Sequence, residues 1–180
     1  DAYAFFNKYT YDLWQEQKSK NGVVPMVVPA VNLEGGGSSA WADASTIIPW
    51  NIYLQYGDKT ILEQQFDSML AWVNYMKNED ENNNKNRLLT TGFHFGDWLA
   101  LDGINPDFPT GSTDIHFISS AYYYYSTSIL SKAAKVLGKH EIEEKYSKLS
   151  EEIKKAIIKK YFDENGNIKI NTQTASAISL

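Results

Sequence analysis

The 180 residues predict an all-α protein, an α/α toroid built from antiparallel helical hairpins and amounting to about half of an (α/α)6 barrel. Two observations predict it. Apolar residues recur at three- and four-residue spacing in successive segments, with strand signals confined to one short β-hairpin near 161–171. The connections also alternate in length: about twenty, thirty-five and a dozen residues after the first, third and fifth helices, but only a few after the second and fourth. Short connections make antiparallel neighbours, so the second helix pairs with the third and the fourth with the fifth. Every long loop then lies at one end, feeding the second, fourth and sixth helices. No repeat of fixed length occurs, which argues against tetratricopeptide and ankyrin arrays and leaves the toroid ahead of an open solenoid. A closed ring of six hairpins needs about twice as many helices. Residues 1–180 therefore read as part of a single barrel domain, truncated at both ends.

The first helix is expected over Ala2 to Lys20, where Phe5, Phe6, Tyr9, Leu13 and Trp14 share a side before Gly22, Pro25 and Pro29. Asn21 to Ala40 holds both prolines and Gly35-Gly36-Gly37-Ser38-Ser39, so it reads as a long loop. A second helix runs from near Trp41 to Tyr56 and stops at Gly57, with Pro49 expected to kink it or move its start. Asp58 can cap a third, whose apolar side from Ile61 to Met76 reaches about Lys77. Asn78 to Ser112 is polar and rich in glycine and proline, including Pro106 and Pro109, and reads as irregular. A fourth helix is expected from Thr113 to Gly138 and a fifth from Glu141 to Tyr161. Asn165-Gly166 signals a type I′ turn, and Thr172 opens a sixth helix that runs toward Leu180.

Composition removes several function classes. With 43% hydrophobic and 22% charged residues the chain is globular, and at net charge -5 its lysines lie on polar helix faces without forming a basic stripe. A nucleic-acid partner is not expected. Apolar runs such as Val23 to Val28 fall well short of the roughly 20 residues that span a bilayer, so no membrane partner is expected either. Absence of cysteine removes thiolate metal sites and cysteine nucleophiles. His94, His116 and His140 stand too far from one another for zinc spacing, and Asp163 to Asn167 lacks the full calcium-loop pattern. No metal and no cofactor is implied. Phosphate loops, dinucleotide fingerprints and nucleophile elbows do not occur.

The long loops carry the residues suited to chemistry. Trp41-Ala42-Asp43-Ala44, Phe93-His94-Phe95-Gly96-Asp97-Trp98-Leu99 and Asn171-Thr172-Gln173-Thr174 fall at the same expected end. Indole faces stack on the C–H face of a sugar while carboxylates and amides bind hydroxyls, so a carbohydrate is the expected ligand. Trp41, Asp43, His94, Asp97 and Trp98 are the candidate substrate-binding residues. Each has a plainer alternative: the indoles as core aromatics, Asp43 and Asp97 as first-turn carboxylates that stabilise a helix start. Of the Tyr122 to Tyr125 run, which wraps more than one helical turn, some members pack and others line the rim.

At Trp41-Ala42-Asp43-Ala44, Ile48-Pro49, Tyr56-Gly57-Asp58 and Phe95-Gly96-Asp97-Trp98-Leu99 the chain resembles bacterial α-L-rhamnosidases of glycoside hydrolase family 78. The same is true of Asp1-Ala2 to Phe6, Gly22-Val23-Val24-Pro25, Ala134 to Gly138 and Thr172-Gln173-Thr174-Ala175. The resemblance implies an (α/α)6 barrel that hydrolyses terminal α-L-rhamnose with inversion, using an acidic general acid and a glutamate base. It places the acid in a segment before Asp1 and the base beyond Leu180, so no catalytic residue is assigned here, and the isolated segment is expected to be inactive. What carries over is sugar stacking by Trp41 and Trp98, with Asp43, Asp97 and His94 as polar neighbours; Gln173 matches a position without an assigned role. The partners implied are a rhamnoside and the remainder of the same polypeptide. Alternatives are a trehalase-like or glucuronyl-hydrolase-like toroid enzyme, or a noncatalytic helical scaffold that grips a protein. The Asn-, Lys- and Tyr-rich usage suits a bacterium, with nothing to separate cytoplasmic from exported.

Overall fold

Six helices form where the apolar spacing predicts them in the computed structural model, which describes residues 1–30, 35–103 and 107–179. They are α1 (Ala2–Gln17), α2 (Ala44–Tyr56), α3 (Thr60–Asn82), α4 (Ile115–Val136), α5 (His140–Tyr161) and α6 (Gln173–Ile178). The parts of the expected loops at 31–34 and 104–106, Pro106 among them, and Leu180 lie outside the described residues. Consecutive contacts link α2 to α4 and α4 to α6, while α1 and α3 back onto α2, and α5 onto α4. The result is a two-layered arc of hairpins without a sheet among the described residues, as a partial α/α toroid requires.

The hairpin turns have a local cause. Gly57 and Gly138 sit just past α2 and α4 with φ of 70° and 68°, a left-handed geometry that closes a helix and that side chains with a Cβ resist. Both turns take only a few residues, so the paired helices run antiparallel. Between the layers, Ile61, Met69, Trp72 and Met76 of α3 and Phe117, Tyr123, Ile129 and Leu130 of α4 belong to one core, all with almost no exposed surface. Each such aliphatic side chain stabilises the fold by roughly 1.5–3 kcal/mol on burial. Within the outer layer, neighbouring hairpins are also tied by a polar contact: Tyr146 of α5 donates its hydroxyl to Asn74 Oδ1 of α3 at 2.5 Å.

Several boundaries differ from expectation for identifiable reasons. α1 ends at Gln17, three residues before Lys20, because the buried Gln17 amide donates to the carbonyls of Gly22 and Ser68 at 2.9 and 3.1 Å and draws the chain into a turn. α2 begins at Ala44 instead of Trp41, and Pro49 stays inside it. α3 continues past Lys77 to Asn82. There the buried Asp80 carboxylate accepts the N–H groups of Asn86 and Arg87 at 2.9 and 3.1 Å and pairs with the Arg87 guanidinium at 3.3 Å. That demand for an acceptor outweighs the polar composition of 78–82. Arg87 also reaches Glu152 of α5 at 2.8 Å, so the end of α3 is fastened to the far hairpin. Asp114 caps α4 through the N–H groups of His116 and Phe117, where Thr113 was expected to begin the helix. Asp58, expected to cap α3, stands one residue ahead of the cap: the cap position falls on Lys59, which makes no side-chain bond, and Asp58 accepts Thr60 N–H at 2.9 Å in a local turn.

The hairpin expected near 161–171 is reduced to one antiparallel bridge, Phe162 to Ile168. Its turn is not type I′: Gly166 has φ of 83° but Asn165 is not in the left-handed region that I′ demands of both residues. The Asp163 carboxylate takes the N–H groups of Asn165 and Asn167 at 2.9 and 2.8 Å and holds the turn in another shape.

Candidate functional site

The loops before α2, α4 and α6 meet at one end, and hydrogen bonds stitch them together. Ser39 N–H donates to His94 Nδ1 at 3.0 Å and Phe95 N–H to Ser38 Oγ at 3.2 Å, which joins the first loop to the second. Thr113 Oγ1 donates to Asp97 Oδ2 at 3.0 Å and lies 2.8 Å from Thr172 Oγ1, which joins the second to the third. Because Thr113 spends its proton on Asp97, Thr172 donates to Thr113 and in turn accepts from Ala175 N–H at 3.1 Å. A directed chain thus runs from the first turn of α6 to Asp97.

On this rim the aromatic residues form a continuous array. Trp41 stacks on Phe95 with ring centroids 4.4 Å apart, and Phe95 meets Trp98 edge-on at 5.0 Å. Phe93 and Phe108 complete the group around them. Trp41 and Trp98 keep 42% and 37% of their surface exposed, so the two indoles belong to one partly exposed aromatic cluster with Phe95 between them. The Trp98 segment is shaped by close chain approach: Leu99 N–H donates to the Pro109 carbonyl and Gly111 N–H to that of Asp97, each at 2.7 Å. A Cβ at Gly111 would stand 2.6 Å from the Ala100 methyl and 3.0 Å from Asp97 Oδ2, so this position has no room for a side chain.

The expected site residues separate into two kinds. Trp41, Trp98 and Asp97 are partly exposed on the rim. Asp43 and His94 are enclosed by protein. Asp43 accepts Trp72 Nε1–H at 2.8 Å and the Ser126 hydroxyl at 2.5 Å on Oδ1, and Ala40 N–H at 2.8 Å on Oδ2. Its carboxyl makes no helix-cap bond; it joins α3, α4 and the turn that presents Trp41. Burial pushes the Asp43 carboxyl up to about 6, with the Ser126, Trp72 and Ala40 donors opposing the rise. His94 retains 6% of its surface, and Nε2 lies 2.9 Å from the Thr91 carbonyl. Asp97 stands in an irregular segment, not at a helix start.

Phe95, Phe108, Trp72, Ser126, Thr113 and Thr172 were not among the site candidates. For Phe95 a signal existed. In an extended stretch, neighbouring residues point to opposite sides, so Phe93-His94-Phe95 places two phenyl rings outward when His94 turns inward. Of the tyrosine run, Tyr123 is buried as packing requires, but Tyr122, Tyr124 and Tyr125 line a groove apart from the rim on which some of the run were expected. A separate groove of about 750 Å³ lies between Ile47, Tyr122, Tyr125, Ile157, Phe162 and Ile178, and none of the five expected residues lines it. No cluster of His, Cys, Asp or Glu among the described residues could hold a metal ion.

Hairpins in an arc, with elaborated loops gathered at one end around exposed indoles, define the class of the six-hairpin α/α glycosidase domains. Residues 1–180 match the model of the bacterial alpha-L-rhamnosidase 6 hairpin glycosidase domain over their whole length, and the chain belongs to that family. An alpha-L-rhamnosidase of Alteromonas sp. (strain LOR) is 34% identical, covering 100% of this chain and 19% of its own. One from Streptomyces avermitilis is 31% identical over 98% of this chain and 16% of its own. A crystal structure of Streptomyces avermitilis alpha-L-rhamnosidase complexed with L-rhamnose superposes with a TM-score of 0.82 at 31% identity, over 97% of this chain and 16% of that one. The native enzyme of Aspergillus terreus superposes with a TM-score of 0.80 at 28% identity, over 99% of this chain and 20% of that one. The chain thus spans about a fifth of the length of the relatives it matches.

Proposed function

We propose that residues 1–180 supply the sugar-stacking wall of the catalytic barrel in a glycoside hydrolase that removes terminal α-L-rhamnose by an inverting acid/base mechanism. Trp41 and Trp98 pack on the C–H faces of the sugar, Asp97 binds its hydroxyls, and Asp43 and His94 hold the loops that carry them. The general acid and base come from other portions of the polypeptide, and inversion requires them roughly 6.5–9.5 Å apart. The groove beside Tyr125 and Ile178 is the seam at which the remaining hairpins of the same barrel continue the ring. The observation that carries this reading is the pair of half-exposed indoles bridged by Phe95 on the rim. Membership of the rhamnosidase family, and a relative whose crystal structure holds L-rhamnose, favour it over the trehalase-like, glucuronyl-hydrolase-like and scaffold alternatives.

The test is L-rhamnose binding by the full-length polypeptide carrying these residues. Trp98→Ala and Trp41→Ala are each expected to weaken binding by about 3- to 10-fold, the worth of one aromatic contact. Unchanged affinity in both variants refutes the stacking wall. The isolated 180 residues are expected to show no activity on an aryl α-L-rhamnoside; turnover abolished by Asp97→Ala would place the chemistry within this segment.

A further inference from the structure

We infer that His94 is a positioning residue: as a neutral imidazole protonated only on Nε2, it clips the loop before α2 to the loop before α4 and so sets the Trp41–Phe95 stack. The tautomer follows from the partners. A backbone N–H can only donate, so Nδ1, which faces Ser39 N–H at 3.0 Å, carries no proton. A carbonyl can only accept, so Nε2, which faces Thr91 O at 2.9 Å, carries one. Both partners are main-chain groups and cannot reverse their roles. An imidazolium would set two N–H groups against each other at Ser39, inside a site nearly closed to water.

The clip acts beside the stack it controls. Ser39 lies two residues before Trp41, and His94 immediately precedes Phe95. Phe95 N–H to Ser38 Oγ at 3.2 Å adds a second fastening between the same two stretches. On the other side of Ser39, the Ala40 N–H is held by Asp43 at 2.8 Å, so the segment leading to Trp41 is pinned from two directions. Ala40 itself has φ of 71°, a strained geometry for a residue with a Cβ, and it persists because both neighbours are tied.

The surroundings of the ring favour the neutral form. Burial lowers the readiness of His94 to take a proton, and His116 of α4 opposes its charge; the Thr91 carbonyl and Glu79 of α3 act the other way. Its pKa consequently lies below the ordinary 6.5. As pH falls through that value the competent fraction shrinks, and apparent affinity for a ligand of the Trp41 wall falls by up to about tenfold per pH unit.

Two measurements test this, and only the second rests on the sugar-binding reading. In the unsubstituted full-length protein, ¹⁵N NMR is expected to show the Nε2–H tautomer of His94. Loss of exchange protection at the Ser39 amide should accompany its protonation. An Nδ1–H tautomer, or a Ser39 amide indifferent to that titration, overturns the clip. L-Rhamnose affinity is then followed from about pH 8 to about pH 5. His94→Ala should weaken it by about tenfold or more even at the upper limit, His94→Asn should restore part of the loss through an amide oxygen in place of Nδ1, and the acid limb should vanish in both. Persistence of that limb in His94→Asn assigns it to Asp43 and defeats the proposal, as does unaltered binding by His94→Ala. If no L-rhamnose binds at any pH, the sugar-binding reading fails, while the NMR result still decides the clip.

Discussion

At the scale of single residues, the buried carboxylate of Asp43 is the group on which pH acts most directly. Its pKa rises from 3.8 in the unfolded chain to about 6 in the folded one, so the folded state binds the proton more tightly. The stability this contributes is fully present below 3.8 and is lost as pH climbs to about 6, then stays level. The swing is on the order of a few kcal/mol. Urea unfolding across this window should show the decline, and Asp43→Asn should abolish it. His94 acts with the opposite sign, since its lowered pKa removes stability as pH falls below 6.5; His94→Asn separates the two. Trp72→Phe keeps most of the ring volume but deletes the donor to Asp43 Oδ1. It is expected to cost about 1–3 kcal/mol and to raise the Asp43 pKa further, both measurable by the same unfolding series.

Elements respond at their ends. Gly138 closes α4 in open space, with nothing near enough to clash with an added Cβ, so Gly138→Ala measures backbone conformation alone and should cost about 1 kcal/mol in chemical denaturation. The end of α3 is different. Arg87→Met would leave the Asp80 carboxylate buried without its cation, and the expected loss is about 3–5 kcal/mol by the same measurement. The loops behave as elements too. Thr113→Val cuts the chain from Thr172 to Asp97 and should weaken L-rhamnose binding with little change in unfolding midpoint, while Thr113→Ser should recover it.

For the molecule as a whole, stability is concentrated where α3 and α4 pack. These helices bury the widest set of apolar side chains and contact both neighbouring hairpins, whereas 91–103 and 107–112 are held mainly by rim hydrogen bonds and expose Phe93, Trp98 and Leu99. The slowest amide hydrogen exchange is therefore expected in α3 and α4, and the fastest within the rim loops and α6. Protection in 91–103 equal to that of α4 would contradict this distribution.

The helices and their order were legible in sequence because helical spacing and glycine stops are local signals: Leu13, Ile61 to Met76 and Gly138 each mark their element without reference to the rest. The loop lengths also carried the antiparallel pairing and the gathering of long loops at one end. On the rim, sequence marked Trp41, Asp97 and Trp98 as chemically suited residues. Tertiary structure alone decided that Phe95 bridges the indoles, that Asp43 and His94 face inward, and that α3 runs on to Asn82. The physical reason is common to these cases. A buried polar group is placed by the partner that satisfies it, and Trp72 and Ser126 for Asp43, Ser39 for His94, and Arg87 for Asp80 lie from 7 to 83 positions away along the chain, where no local pattern connects them.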